Sequence, residues 1–307
     1  MASIGPREYA SKYWNMEVPM INDDNEITKI EKINFKKYRL HQGWKDNIAP
    51  PGHAEFLQAT TAYAYRLISK EKPVRLVVKN IWGGKNEIIV STMDTFRKKI
   101  QVRAVQAFSG KGSPEDVQLT LQLVARCGLA NNGLQRYCDE TVDQYARLGL
   151  DCNGFVGNYL TYRNDTVKWS IEGPKRNLSE TGIRTIVESF GTRPVTNVDD
   201  MLTPRMYVLG LVDGSGTVID QYAPNGGVGH IMITEAVNSA RKQSVYPPIP
   251  KEYLNDKHLW YMGVESTPAV GLSRIAYVIL KINKYGVATV WRNEVKSLVN
   301  VKIYPVS

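Results

Sequence analysis

The spacing of apolar residues changes along this chain, and the change restricts the folds that the chain can adopt. Between residues 113 and 160 apolar side chains recur at helical spacing, which predicts helices over 113–128 and 134–148 and the start of a third near residue 152. Further along, apolar and polar residues alternate with a period of two, which is typical of strands. Segments with this alternation lie at 206–211, 218–222, 231–234, 259–264, 273–282 and 287–291. A helical layer followed by an antiparallel sheet predicts an α+β fold.

The first hundred residues have a pattern of their own. Residues 53–69 show a helical apolar face, and the β-rich runs at 74–78 and 87–90 flank a Gly-Gly-Lys-Asn turn, which predicts a helix followed by a hairpin. A chain of 307 residues is long enough for two modest domains. The run Ser-Gly-Lys-Gly-Ser-Pro at 109–114 is the best linker candidate. We therefore expect a mixed α/β N-terminal region over residues 1–110, of unknown role, and a second domain over 111–307.

The charge balance of the chain is basic. Lys and Arg number 39 against 30 Asp and Glu, which gives a formal net charge of +9 and a sequence pI near 9.3. Such a charge raises the local concentration of a protein near anionic polymers, including nucleic acid, acidic lipid and the bacterial cell wall. The basic residues are scattered, and the longest unbroken run is Arg-Lys-Lys at 97–99, so we expect no specific nucleic-acid partner.

The N-terminal residues 1–14 lack the apolar segment of a signal peptide, and no run of about eighteen apolar residues occurs in the sequence. The sequence therefore predicts a protein made in soluble form without a membrane span. It would be cytoplasmic, or exported by a non-classical route if it acts outside the cell that makes it.

The cysteine pattern argues against a disulfide framework and against a metal centre. Cys127 and Cys138 have the spacing of helical core residues, and none of the three cysteines has zinc-type spacing. Residues 213–216, Asp-Gly-Ser-Gly, lack the later acidic ligand of a calcium loop and predict a hairpin turn. No metal or cofactor is expected.

The third cysteine, Cys152, stands where a loop runs into an apolar helix. Phe155, Val156, Tyr159 and Leu160 follow it at helical spacing. Unpaired backbone N–H groups and the helix dipole at such a position favour a thiolate over a thiol, so Cys152 is the candidate nucleophile. The alternative is a small packed cysteine that begins a core helix.

A cysteine nucleophile needs a base within hydrogen-bonding reach. Of the four histidines, only His230 begins a β-type run after a glycine loop, which would place its ring at a strand end. His53 begins a helix, His41 lies in a polar segment and His258 lies among charged residues before a strand. His230 is therefore the candidate base, and its alternative role is that of a turn residue that caps a strand.

Two short motifs resemble a known family. Residues 151–156, Asp-Cys-Asn-Gly-Phe-Val, resemble the Asp-Cys-Ser-Gly-Phe-Val signature of the NlpC family of papain-like cysteine peptidases and amidases, most of which cut peptide bonds in bacterial peptidoglycan. Residues 227–234, Gly-Val-Gly-His-Ile-Met-Ile-Thr, look like the glycine-flanked strand that carries the catalytic histidine of that family. Asn153 stands where the family has Ser. The resemblance implies a papain-like catalytic domain, with helices packed on an antiparallel sheet.

The resemblance also implies a third polar residue on the strand that follows the histidine strand. Within residues 260–267 we choose Glu265, because a carboxylate in an apolar strand is costly unless it is paired, and His230 would pair it. Ser266 is the next residue and should face the other side of the strand, so the two cannot both serve. The alternative for Glu265 is a solvent-exposed carboxylate at a strand end. The backbone N–H of Cys152 would contribute to the oxyanion hole.

These features predict a cysteine hydrolase that cleaves an amide bond, most simply in peptidoglycan peptides, with an inhibitor or immunity protein as a further candidate partner. Two other functions are compatible with the sequence. One is acyl transfer by a related fold, as in lipid-acyltransferase relatives of this family. The other is a non-catalytic basic module that binds an anionic polymer and in which Cys152 is buried and inert.

Overall fold

A computed structural model describes residues 4–39, 50, 52–80, 82–142, 145–166, 182–190, 193–202, 205–220, 229–236, 251 and 259–306. The fold is mixed α/β, with helices and antiparallel sheets, in agreement with the α+β prediction. The chain divides into two compact units. We call Tyr9–Asp151 the N-terminal unit, and Met1–Glu8 together with Cys152–Ser307 the C-terminal unit. The boundary expected near residue 110 falls inside the N-terminal unit, and the functional division at that point stays a prediction.

The N-terminal unit consists of helices and three two-stranded antiparallel ladders, β1-β2, β3-β4 and β5-β6. Its elements, together with the helix that enters it, are α1 (Pro6–Trp14), β1 (Met16–Ile21), β2 (Ile27–Ile33), α2 (His53–Ile68), β3 (Val74–Lys79), β4 (Lys85–Val90), α3 (Met93–Phe96), a π-helical turn (Arg97–Gln101), α4 (Val102–Phe108), α5 (Pro114–Arg126), α6 (Leu134–Asp139), β5 (Thr141–Val142) and β6 (Tyr145–Ala146).

Helix α5 forms the centre of this unit. It begins with a capping box, in which the Ser113 hydroxyl accepts a hydrogen bond from Asp116 N at 3.2 Å and the Asp116 side chain accepts one from Ser113 N at 3.0 Å. Gln122 both donates to and accepts from the backbone of Val77, at 2.7 and 3.0 Å. Gln118 does the same with Lys79. These two amides satisfy backbone groups of β3 as a neighbouring strand would.

The predicted helix at 53–69 and the hairpin after it are confirmed by α2 and by the β3-β4 ladder. The predicted helix over 134–148 is wrong beyond its first half, because α6 ends at Asp139 and a short hairpin follows. Two acidic residues, Asp139 and Glu140, stand at the negative end of the helix dipole and disfavour its continuation. The β-branched pair Thr141 and Val142 then enters the strand β5.

The C-terminal unit is organised around a closed barrel of six strands in the order β10-β11-β12-β7-β8-β9. Every neighbouring pair is antiparallel. Its elements are α7 (Cys152–Thr166), α8 (Ile183–Glu188), a 3-10 helix (Val198–Leu202), β7 (Met206–Leu211), β8 (Ile231–Thr234), β9 (Leu259–Thr267), β10 (Gly271–Ile282), β11 (Val287–Arg292) and β12 (Ser297–Val306).

Five of the six predicted β-segments are strands of this barrel. The predicted strand at 218–222 is reduced to a single bridge between Val218 and Val212, and its last two residues lie outside the described ranges. The closing strand β12 was not predicted. Tyr159 of α7 donates a hydrogen bond to the carbonyl of Ile4 at 3.1 Å, which ties the N-terminal residues to this unit.

The interior of the barrel is filled by the inward-facing rows of its strands. On β9 and β10 these rows pair Leu259 with Ile279, Tyr261 with Tyr277, and Gly263 with Ile275. A Cβ atom on Gly263 would lie 2.2 Å from Tyr277 Cε2 and 2.5 Å from the carbonyl oxygen of Ile233, so glycine is required for the Tyr277 ring to occupy the interior. None of the helices among the described residues has the length and apolar character that crossing a bilayer requires.

Candidate active site

Cys152 is the first residue of α7, as the sequence predicts, and its side chain is buried. The helix contacts β8 and β9. Residues of these strands that point away from the barrel interior are buried as well: Ile231, Ile233, Val264 and Ser266. Phe155, Val156, Tyr159 and Leu160 are all buried, which confirms the apolar helix inferred from their spacing. A packed helix therefore carries the candidate thiol at its N-terminus.

His230 immediately precedes β8, and its carbonyl accepts a hydrogen bond from Leu211 N of β7 at 3.0 Å. Residues two apart in a strand face the same side, so the His230 ring points in the same direction as Met232, which belongs to the core of the barrel. A Cβ atom on Gly229 would lie 2.5 Å from the carbonyl oxygen of Ile219 and 2.6 Å from that of Asp220. The glycine before the histidine is thus needed for the close approach of two backbones, which places the ring at the end of the barrel.

Glu265 lies next to His230, on the neighbouring strand β9. His230 Nε2 and Glu265 Oε2 are 2.8 Å apart, and the Glu265 side chain is fully buried. Its register partner on β10 is Ser273, in the row that also contains Ile275 and faces the interior. Ser266 faces the opposite side of the strand, as expected, and is not in this row.

The His230 ring also lies within hydrogen-bonding reach of the Cys152 side chain. Since Nε2 is occupied by Glu265, Nδ1 is the nitrogen that remains for the sulfur. Burial lowers the pKa of His230, but the negative charges of a Cys152 thiolate and of Glu265, with their hydrogen bonds, outweigh it and raise this pKa to about 9. The arrangement therefore favours an imidazolium at neutral pH.

A fourth residue, Arg292, was missed by the sequence analysis. Its Nη2 and Nε donate to Glu265 Oε1 at 2.5 and 3.1 Å, and its Nη1 donates to Ser297 Oγ at 3.3 Å. Arg292 ends β11, where it pairs with Tyr277 of β10 across the ladder. Burial raises the pKa of Glu265, but His230 and Arg292 together lower it below its ordinary value. The one signal in the sequence was a lone cation at the end of an apolar strand.

The other candidates lie elsewhere. His53 is buried in α2 of the N-terminal unit, and His41, His258, Gly227 and Val228 fall outside the described residues. Cys138 is buried and Cys127 half-buried, both as free thiols. Asp213 accepts hydrogen bonds from Ser215 N and Thr217 N at 2.9 Å in each case, which is the turn that the sequence predicts. Within the described ranges, no group of three His, Cys, Asp or Glu side chains is placed to hold a metal ion.

Comparison of the chain with protein-family models, curated proteins and solved structures found no match in any of the three. The geometry of this site and the two short motifs are therefore the features of the chain that bear on its function.

Proposed function

We propose that the protein is a cysteine hydrolase of papain-like, NlpC-type fold that cleaves an amide bond. Cys152 is the nucleophile, His230 the general base and acid, and Glu265 the residue that orients the imidazole. The observation that carries the proposal is the buried chain of contacts from Cys152 through His230 to Glu265, with the thiol at a helix N-terminus. Helix-start thiols paired with an imidazole have the electrostatics of reactive rather than structural cysteines.

In the proposed acylation step, the Cys152 thiolate attacks the carbonyl carbon of the substrate amide. The negative charge that develops on the carbonyl oxygen is stabilised by the backbone N–H of Cys152 at the start of α7. The imidazolium of His230 then gives its proton to the leaving amine as the C–N bond breaks. This step leaves a thioester on Cys152 and a neutral imidazole.

In the deacylation step, neutral His230 accepts a proton from water while the water oxygen attacks the thioester carbonyl. The C–S bond breaks, the carboxylic acid product leaves and the thiolate–imidazolium pair is restored. Glu265 accepts the Nε2–H hydrogen bond throughout, which presents the lone pair of Nδ1 to the water.

Peptides of peptidoglycan are the proposed substrate class. The support is the resemblance of residues 151–156 and 227–234 to the NlpC motifs, together with the net charge of +9, which favours association with an anionic wall. An inhibitor or immunity protein would be the expected partner of such an activity in the cell that makes it.

The test is digestion of purified peptidoglycan sacculi, with mass analysis of the released fragments. We expect the wild-type protein to release peptides with a new amine and a new carboxylate, and Cys152→Ala to release none. Cys138→Ala is the matched control, because it removes a thiol of equal burial in the other unit, and it should retain activity per folded molecule.

The products also separate the alternatives. Amide cleavage that survives in Cys152→Ala would end the proposed mechanism. Transfer of an acyl group to an added amine or alcohol, without net hydrolysis, would indicate acyl transfer. Binding to sacculi without any covalent change, together with an unreactive Cys152, would favour the non-catalytic module.

A further inference from the structure

We infer that Arg292 is a positioning residue of this site, which holds Glu265 as a carboxylate and keeps one of its oxygens turned towards His230 throughout the reaction. The inference rests on the proposed function, since it assigns a role within the same site. It concerns a residue that does not touch the thiol and that no sequence motif marks.

The two oxygens of Glu265 are divided between two partners. Oε2 faces His230 Nε2 at 2.8 Å, and Oε1 accepts both hydrogen bonds from Arg292. The guanidinium is itself held by Ser297 and is nearly buried, with 9% of its side chain exposed. A planar donor with two N–H groups on one oxygen fixes the rotation of the carboxylate as well as its charge.

The summed charge of the four buried side chains of the site explains the need for Arg292. With the thiolate and imidazolium formed, Cys152, His230, Glu265 and Arg292 sum to zero. After acylation the thiolate is consumed and the imidazole is neutral, so Arg292 becomes the remaining counter-ion of Glu265. Without it, the acyl-enzyme would hold a fully buried carboxylate without a cation, a state of high cost that protonation relieves.

Protonation of Glu265 would also place the wrong proton on His230. A carboxylic acid would donate to Nε2, and the imidazole would then carry its hydrogen on Nδ1. That nitrogen could no longer accept a proton from the water of deacylation. By keeping Glu265 ionised, Arg292 preserves the tautomer that the second half of the reaction requires.

The groups that face Glu265 come from each element packed around it. His230 stands before β8, Tyr277 lies on β10 and Arg292 on β11, while Cys152 at the start of α7 interacts with His230. Burial and the nearby Glu265 raise the pKa of Tyr277 well above its ordinary value, so the phenol stays neutral. Glu294 also raises the pKa of Tyr277, and it accepts a hydrogen bond from Ala276 N at 2.7 Å. Neither Tyr277 nor Glu294 supplies the positive charge that Arg292 provides.

The experiment measures the rate at which iodoacetamide alkylates Cys152, by peptide mass analysis, between pH 4 and pH 9. The readout is the pH at which the rate reaches half its maximum. An adjacent cation lowers a carboxylate pKa by about 1–3 units, so in Arg292→Met the Glu265 carboxylate should bind a proton at a higher pH. A neutral Glu265 no longer stabilises the imidazolium that pairs with the Cys152 thiolate. The midpoint of the alkylation rate should therefore rise by about one pH unit or more. Arg292→Lys keeps the positive charge but loses the planar pair of N–H donors, and it should shift the midpoint less.

Arg274→Met is the matched control, since Arg274 lies on β10 and forms its own two-bond pair with Glu235, at 2.6 and 2.8 Å. Its side chain is 37% exposed, so removal of the same charge there should leave the midpoint unchanged. The double variant Glu265→Gln with Arg292→Met tests the route of the effect. If Arg292 acts through Glu265, the double variant and Glu265→Gln alone should have midpoints within about 0.3 unit, as expected for residues in one network.

The outcomes separate this inference from the proposed function. Wild-type Cys152 that reacts no faster than Cys138 would overturn both. A reactive Cys152 whose midpoint is the same in wild type, Arg292→Met and Arg292→Lys would overturn only the role of Arg292. If Arg292→Met does not fold, Arg292→Lys and the double variant still test the role of Arg292. Neither of them leaves Glu265 as a buried carboxylate without a cation.

Discussion

Cys138 and Cys152 are equally buried but have different neighbours. Each is 1% exposed and each lies in a helix, Cys138 in the short α6 of the N-terminal unit and Cys152 at the start of the longer α7. Burial, and to a lesser degree Asp139, raise the pKa of Cys138 far above that of an ordinary thiol. Cys152 lies beside an imidazole that is itself held by a carboxylate. Burial alone suppresses a thiolate, and the partner decides whether a buried cysteine can react.

Removing His230 should abolish most of this contrast. His230→Ala takes away the counter-ion of the thiolate and the acid that protonates the leaving amine, so hydrolysis should fall by about 10³-fold or more. Alkylation of Cys152 at pH 6, which we expect to be rapid in the wild type, should fall towards the slow rate expected for Cys138. His53→Asn is the control, with a histidine changed in the other unit and activity per folded molecule kept. Equal reactivity of Cys152 in wild type and His230→Ala would remove His230 from the mechanism.

A smaller effect is expected at Glu265. Glu265→Gln keeps the shape and an acceptor but loses the charge that stabilises the imidazolium, which is worth about 1.5–3 kcal/mol or roughly ten- to two-hundred-fold in rate. Glu265→Ala should be worse, since the ring can then rotate. Ser266→Ala should change the rate little, because that side chain faces away from His230. Steady-state hydrolysis by the three variants tests the ranking, and a sensitive Ser266 with an indifferent Glu265 would contradict it.

The pH dependence should be asymmetric. Because the pKa of His230 is raised to about 9, the imidazolium needed for acylation is present below that pH and is lost above it. We expect kcat/KM to fall by about tenfold per pH unit above pH 9. An alkaline limb near 6.5, the ordinary histidine value, would mean that the thiolate and Glu265 do not hold the proton on His230.

The smallest effects concern stability. Cys138→Ala leaves a small cavity in a packed helix, and its free energy of unfolding should fall by about 1–3 kcal/mol, as should that of Cys127→Ala. Cys152→Ala is a small substitution at the start of a helix, and its free energy of unfolding should stay within about 1 kcal/mol of the wild type. Urea denaturation measures all three. A larger loss in Cys152→Ala than in Cys138→Ala would indicate that the thiol at α7 is mainly a packing residue.

The sequence predicted the parts of the site that local patterns encode. Cys152 and His230 each stand in a short motif, and Glu265 was identifiable because a carboxylate in an apolar strand needs a partner. Arg292 has no such local signature, since its role depends on a ladder that brings β11 next to β10 and on the barrel end where Glu265 lies.

The parts of the fold that the sequence did not predict have both local and long-range causes. In strand β12, Asn300 and Lys302 alternate with Val299, Val301 and Ile303, as in a half-buried strand, and only Pro305 counts against a central strand. The strand is needed between β11 and β7 to close the ring. Helix α6 stops early because of charge at its end and of a hairpin that forms beyond it. The role of Gln118 and Gln122 at the edge of β3 likewise depends on how α5 packs, which their own neighbours in sequence do not reveal.

A closed ring of strands has a consequence for how this chain can vary in length. Unless a β-bulge absorbs it, as at Leu280 of β10, a residue added within a strand reverses the facing of every side chain beyond it, and a closed ring has no free edge along which the strand could slip. One extra residue in β9 before Glu265 would turn that carboxylate outward and bring Ser266 inward, with the site lost while the strand survives. The turn at Asp213–Thr217 is exposed and closes on itself through hydrogen bonds to Asp213, so insertions there should be accepted. Natural or engineered insertions and deletions should therefore collect at the turns of the barrel and avoid its strands.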